Sequence, residues 1–298
     1  MMRRMARARS NGIELEYEVA GNPADPPVLL VMGLGAQLIV WEDEFVLGLA
    51  RRGHFVVRYD NRDVGLSTHF DGVVAPPLPE ILARRAAGQP IGAPYTLSDM
   101  AADAVGLLDH LEIPAAHVVG ASMGGMIAQT LAIEHARRVR SLTSIMSTTG
   151  NPSLPPAKPE AMARLSLPAP ADRSAFIAQS VESQKVMAGS GFPFDEERAR
   201  RLAERGYERA FYPQGFARQI AAIMASGSRR DALESVRTPT LVVHGLEDPL
   251  VPHEGGLDTH EAIPGSELLL IDGMGHSLPR GVWPTLIDAI QKHVARAT

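Results

Sequence analysis

With 298 residues, 45% of them apolar and 21% charged, the chain is long enough for one α/β domain, with or without an insert, and for a sizeable core. A net charge of −5 argues against nucleic acid as a partner, and the absence of cysteine excludes disulfides, thiolate metal sites and a cysteine nucleophile. No apolar run approaches the length of a membrane span. The expected partner is a small molecule, with neither a nucleic acid nor a membrane; a homo-oligomer is left open.

The first ten residues, MMRRMARARS, have the arginines of a signal n-region but no apolar stretch behind them, and read as a frayed basic tail on a cytoplasmic protein. Ile13 to Val19 alternates apolar and acidic residues, as a half-exposed antiparallel edge strand does. After a turn cluster from Gly21 to Pro27, Val28 to Met32 is continuously apolar, the pattern of a central strand covered on both faces. It ends in Gly33-Leu34-Gly35. Glu42 to Arg52 fits an amphipathic helix. His54 to Asp60 is the next strand, and it opens into the polar loop YDNRDVGLST, where Asp60 is expected to bond backbone N–H groups and Arg62. The proline-, glycine- and arginine-rich stretch from Asp71 to Pro94 reads as a long surface connection. Thr96 or Ser98 then caps a helix carrying Met100, Ala104, Leu107, Leu108 and Leu111 at helical spacing.

The next segment joins a short apolar run, AHVVG, to a pattern of small and apolar residues, MGGMIAQTLAIEH. Between them Gly120-Ala121-Ser122-Met123-Gly124 fits G-x-S-x-G, a sharp strand-to-helix turn with a serine at its apex. Small neighbours two positions away suit the strained backbone such a serine needs, and the helix N-terminus behind it favours an oxyanion. The competing reading is an ordinary turn with a serine N-cap. Val139 to Ser147 is another strand. Alternating strands and helices predict a mainly parallel sheet with helices on both faces, with the site beyond the strands' carboxyl ends, near Met32, Asp60, Gly120, Ser147 and Gly245.

After Thr149 the character changes. Six prolines fall between Gly150 and Pro170, and three helical stretches follow, Ser174 to Ala188, Phe194 to Arg209 and Pro213 to Ser226, with no strand between them. We expect a helical cap over residues 150–226 inserted into a core of residues 1–149 and 227–298. Sheet character resumes with Pro239 to Gly245 and Ser266 to Ile271, and Trp283 to Ala295 closes the chain as an amphipathic helix.

A serine hydroxyl needs a base in hydrogen-bond contact and a third group to orient that base. Among ten histidines, His276 lies after a strand in the loop DGMGHS, and Asp248 lies after another in HGLEDPLVP; Glu247 is the second choice for the acid. The remaining histidines read as structural or solvated, with His244 packing under the acid loop. Two N–H donors are needed for an oxyanion. Met123, next to the serine, gives one; Leu34 is chosen for the other, with Gly33 as alternate. No metal site is expected, since no H-E-x-x-H is present, and no dinucleotide cofactor, since GLGAQL lacks the third glycine of G-x-G-x-x-G.

The order Ser122, Asp248, His276, with VMGLG, YDNRDVGLST, GASMGGMIAQ, HGLEDPLVP and GMGHS in register over nearly the whole chain, resembles the α/β-hydrolase superfamily. The polar loop is similar to the family's D-x-R-G-x-G-x-S at Asp60, Arg62, Gly65 and Ser67. Met32 departs from it, standing where many members carry histidine. The oxyanion loop, the RYDNRDVGLST form and FYPQGFARQIAAIMASGSR resemble the polyketide methyl esterase branch (aclacinomycin methylesterase-like). The resemblance implies an α/β-hydrolase fold and a serine hydrolase cleaving carboxylic esters through an acyl-enzyme, a methyl esterase among the options. C–C bond hydrolases, lactonases, acyltransferases and non-catalytic hydrolase-like receptors are the alternatives on the same scaffold. Phe176, Met187, Phe192, Phe194, Phe211, Tyr212, Phe216, Ile220, Ile223 and Met224 are the insert's candidates for pocket walls.

Overall fold

The computed structural model describes residues 4–297. Eight strands, β1 (Arg4–Ser10), β2 (Ile13–Ala20), β3 (Pro27–Val31), β4 (Phe55–Tyr59), β5 (Ala116–Ala121), β6 (Val139–Ile145), β7 (Thr240–Gly245) and β8 (Glu267–Ile271), form one sheet in the order β1-β2-β4-β3-β5-β6-β7-β8. The pairs β1/β2 and β2/β4 are antiparallel and all others parallel. The parallel strands therefore end on one side, with Val31 opposite Gly120 and Ala121 opposite Ile145.

The helices are α1 (Asp43–Ala50), α2 (Leu78–Ala86), α3 (Leu97–His110), α4 (Met123–Glu134), α5 (Pro159–Leu165), α6 (Arg173–Met187), α7 (Glu196–Arg209), α8 (Gln214–Ser226), α9 (Arg230–Leu233), α10 (Glu254–Ala262) and α11 (Trp283–Arg296). Strand alternation sorts the core into two layers. Leu29, Val31, Val57 and Val118 meet α3 and α4 on one face, while Val28, Leu30, Val56 and Val119 meet α1 and α11 on the other. Thr96 caps α3 in a capping box with Asp99, and Ser98 bonds Glu134 instead. Among the described residues no helix is long and apolar enough to cross a membrane.

Four expectations need correction. Residues 4–10 are not a frayed tail but strand β1; residues 1–3 lie outside the described residues. Asn11 and Gly12 both take positive φ, 47° and 80°, the pattern of a tight hairpin turn, and Arg7 then lies across from Glu16 and bonds both Glu14 and Glu16. Consequently β2 is not an edge strand, because β1 covers one side of it and β4 the other. The connection from Asp71 to Pro94 contains α2, begun by proline in its first turn and anchored by buried Ile81. Likewise the proline-rich stretch after Thr149 contains α5, which starts at Pro159.

The chain leaves the sheet region after Thr149 and returns at Arg229 through two adjacent stems. Gly150 (φ 82°) and Gly227 (φ 66°) meet so closely that a Cβ on Gly150 would stand 2.7 Å from the Gly227 carbonyl oxygen. Arg229 binds them together. Its backbone N–H donates to Thr149 O at 2.8 Å, and its guanidinium donates to Thr148 O at 2.8 Å, Gly227 O at 3.2 Å and Gln129 Oε1 at 3.2 Å. Burial lowers its pKa to about 10, so it stays charged at neutral pH.

Arg229→Met should lower the unfolding free energy by about 3 kcal/mol, because it strands a buried acceptor on Gln129 and part-buried ones on Thr148 and Gly227; a shifted denaturant midpoint at unchanged slope would register this. His117, buried on β5 with Nδ1 2.9 Å from Ser141 Oγ, has its pKa pushed down to about 4 by burial, with Arg140, His54 and His293 adding in the same direction. The folded chain thus takes up this proton later than the unfolded chain, whose histidine titrates near 6.5. Stability is full above that value and is lost as pH falls toward about 4. Thermal midpoints measured across this window should fall for the wild type and fall less for His117→Gln.

Candidate active site

The site begins where β5 ends. Ser122 has φ 56° and ψ −120°, a left-handed conformation for a residue with a side chain. Close packing holds it there. A Cβ on Gly120 would lie 2.1 Å from Gly124 O, and one on Gly124 would lie 2.1 Å from Val31 O. The Ser122 N–H donates to Ile145 O at 2.9 Å, and its carbonyl accepts from Gly125 N, Met126 N and Ser147 Oγ. Its hydroxyl does not cap α4: the side chain makes no cap hydrogen bond, against the ordinary-turn reading, and points to a histidine.

That histidine is His276. Its Nε2 stands 3.0 Å from Ser122 Oγ, and its Nδ1 stands 2.7 Å from Asp248 Oδ2. With Nδ1–H donating to the carboxylate, Nε2 is free to accept the serine proton. The loop carrying His276 is seated by the end of α6 and the segment after it: His276 N–H donates to Met187 O at 2.8 Å, and Gly191 N–H to Gly273 O at 2.9 Å. Glycine on both sides is required, since a Cβ on Gly275 would lie 2.3 Å from Met187 O.

Asp248 is buried, and its other oxygen accepts the N–H groups of Leu250 and Val251 at 2.9 and 2.8 Å. Burial alone would push its carboxyl up. The charge of His276, together with hydrogen bonding from His244 and His276, outweighs that and holds it well below the usual carboxylate range. His244 lies beneath the acid loop, with Nε2 2.8 Å from Val251 O. Glu247 turns elsewhere, accepting Ser190 N–H at 2.6 Å and Ser190 O–H at 2.7 Å.

On the opposite side of the serine lies the loop after β3. A Cβ on Gly33 would touch Ser122 Cβ at 3.1 Å. Met123 is the first residue of α4, so no carbonyl of its own helix accepts its N–H. The N–H groups of Gly33 and Leu34 have no acceptor among the described residues, whereas Gly35 N–H donates to Gln219. Among the described residues no group of three or more His, Asp or Glu is placed to hold a metal.

The polar loop after β4 does more than expected, and with different partners. Asp60 accepts from Leu38 N–H at 2.7 Å and Leu66 N–H at 2.9 Å, but its cation is Arg209 at 2.6 Å, not Arg62. Burial pushes the Asp60 carboxyl up, against the lowering effect of Arg209 and the two N–H groups. Arg62 makes a two-pronged pair with Asp103 on α3, both bonds 2.6 Å. Asp63 makes another with Arg218 on α8, both 2.8 Å, and accepts Tyr95 O–H at 2.6 Å. Asn61 donates to Met32 O at 2.8 Å. Sequence reasoning missed Asp103, Arg209, Arg218 and Gln219; Asp103, Arg218 and Gln219 were visible as polar residues on otherwise apolar helix faces, whereas Arg209 ends a charged helix and had no such signal.

The aromatic and apolar residues between β6 and β7 divide by neighbourhood. Phe176, Tyr207 and Phe211 pack on one another with ring centres 4.7–5.4 Å apart. Tyr212 stacks on His69 at 3.7 Å. Phe216, Ile220, Ala221 and Met224 join a cluster that also holds Leu34, with Leu78 and Ile81 of α2.

Residues 26–279 match the model of the alpha/beta hydrolase fold family. Rhodomycin D methylesterases of Streptomyces sp. strain C5 and Streptomyces peucetius are 32% and 33% identical to this chain, with 96% of each chain covered. A meta-cleavage product hydrolase from Pseudomonas fluorescens superposes with a TM-score of 0.78 at 18% identity, over 98% of both chains, and so shares the fold. With a family match over most of its length and its sheet order and strand ends as described, the chain belongs to the alpha/beta hydrolase fold family.

Proposed function

We propose that this chain is a serine carboxylesterase that works through an acyl-enzyme, with Ser122 as nucleophile, His276 as base and Asp248 as the group that orients it. The observation that carries this reading is the unbroken hydrogen-bond chain Ser122–His276–Asp248, built on a serine held at positive φ. Ser122 Oγ attacks the ester carbonyl while its proton passes to His276 Nε2. The carbonyl oxygen, now negative, takes the N–H groups of Met123 and Leu34, with Gly33 the alternate to Leu34. Collapse of the tetrahedral intermediate breaks the bond to the alkoxy oxygen, which leaves as alcohol with the proton from His276. Water then gives a proton to His276, attacks the acyl carbon, and Ser122 departs with that proton. Throughout, Asp248 holds the imidazole tautomer and stabilises its cation.

The natural substrate class we propose is a methyl ester of a bulky carboxylic acid. The similarity to two rhodomycin D methylesterases over 96% of each chain supports it. We further propose that residues 150–226 act as a substrate-selecting cap on a core of residues 1–149 and 227–298. The paired stems at Gly150 and Gly227, and the apolar cluster joining Leu34 to Phe216 and Ile220, support that division.

Ser122→Ala should keep the fold and lower turnover by roughly 10⁶-fold, and Asp248→Asn by about 10⁴-fold. An intact Ser122→Ala protein that still hydrolysed esters at the wild-type rate would sink the mechanism. A fluorophosphonate probe should label the wild type at Ser122; no labelling together with tight ligand binding would favour a receptor instead. Substrate class is read from p-nitrophenyl esters of increasing chain length beside methyl esters of polycyclic acids. We expect the highest kcat/KM on the methyl esters, and a preference for short p-nitrophenyl esters over all of them would refute the assignment.

A further inference from the structure

The loop that faces Ser122 has no regular structure between the end of β3 and Leu38, yet its backbone is fixed at three points. Asn61 holds Met32 O, Asp60 holds Leu38 N–H, and between them Gln219 Oε1 accepts Gly35 N–H at 2.8 Å. The first two holders belong to the loop after β4. Gln219 belongs to α8, in the segment between β6 and β7.

Gln219 is fully buried and uses both ends of its amide. Its Nε2 donates to Arg62 O at 2.7 Å, which fixes the orientation of the group and so of the oxygen that meets Gly35. Around it α8 grips the same loop by shape. Gly35 has φ 65°, and a Cβ there would lie 2.7 Å from the Phe216 ring. Leu34 packs in the cluster that holds Phe216 and Ile220. Asp63 ties α8 to the loop after β4 through Arg218 at 2.8 Å. The peptide between Leu34 and Gly35 is thereby anchored one atom group away from the Leu34 N–H.

We propose that Gln219 is a positioning residue: it holds the loop after β3 so that the Leu34 N–H faces the oxyanion, and it makes turnover depend on α8 being seated. This rests on the esterase reading above and on Leu34 as a donor. A donor helps the chemical step when it is already aimed at the developing charge, so loosening its loop costs rate more than ground-state binding. Gln219→Met removes both polar ends at similar volume. Gln219→Glu keeps an acceptor for Gly35 but loses the donor to Arg62 O.

The test uses p-nitrophenyl butyrate, with kcat expressed per serine titrated by fluorophosphonate, and a trifluoromethyl ketone as a tetrahedral-adduct inhibitor. Gln219→Met should lower kcat by about 10²-fold with KM within about threefold, and weaken the ketone in parallel. Gln219→Glu should lose about tenfold in kcat, less than the Met variant. Wild-type kcat per titrated site in Gln219→Met, whatever its melting temperature, overturns the proposal, and so does an equal loss in both variants. Should the Met variant show no cooperative unfolding, the Glu variant decides: a roughly tenfold fall in kcat at unchanged KM supports positioning, and wild-type kcat overturns it. Ser122→Ala in the same assay separates the two levels. If it still turns over, the esterase mechanism has failed; if it is inactive while Gln219→Met is normal, only the positioning role has.

Discussion

The whole site hangs on one backbone conformation, the positive φ at Ser122. Holding a non-glycine residue there costs on the order of 1–3 kcal/mol, and the surroundings must over-determine it. They do so by proximity. Gly120 and Gly124 let β3, β5 and α4 approach until a single added carbon would overlap a carbonyl, and Ile145, Gly125, Met126 and Ser147 take up the Ser122 backbone groups. The same closeness brings the loop after β3 against the serine at Gly33. The nucleophile and oxyanion donors proposed above therefore rest on one piece of packing.

The second constraint is electrostatic. The loop after β4 buries Asp60, Arg62 and Asp63, and each finds an opposite charge on a different helix: Arg209 at the end of α7, Asp103 on α3, Arg218 on α8. Such pairs contribute little net stability against hydrophobic replacements, because desolvation offsets the attraction, but breaking one leaves an unpaired buried charge. Their effect here is geometric. Helix α3 and the consecutive pair α7 and α8 must sit in one arrangement for all three charges to be matched, and that arrangement puts α8 against the loop facing Ser122.

How readily each feature could be read from the chain depends on the range of the interaction behind it. Continuous apolar runs and small residues at fixed spacing are local signals, so β3, β5, the turn at Ser122 and the strand-end loops carrying Asp248 and His276 were legible. Strand β1 was not, although Asn11-Gly12 is a strong hairpin signal, because the arginines beside it resemble a disordered tail until Glu14 and Glu16 are seen across the ladder. Helices α2 and α5 were hidden by proline, which breaks a helix in its interior and suits its first turn equally well.

From sequence alone the fold class follows, along with the residue types for a serine, a base and an acid in a recognisable order, because these rest on periodicity and on backbone geometry that only glycine permits. Tertiary structure decided which charge meets which: Asp60 with Arg209 instead of Arg62, Asp103 with Arg62, and Gln219 with the Gly35 amide. Those contacts join residues 41 to 184 positions apart. No local pattern encodes them, since a buried polar side chain is satisfied by whatever partner the packing of whole layers brings to it.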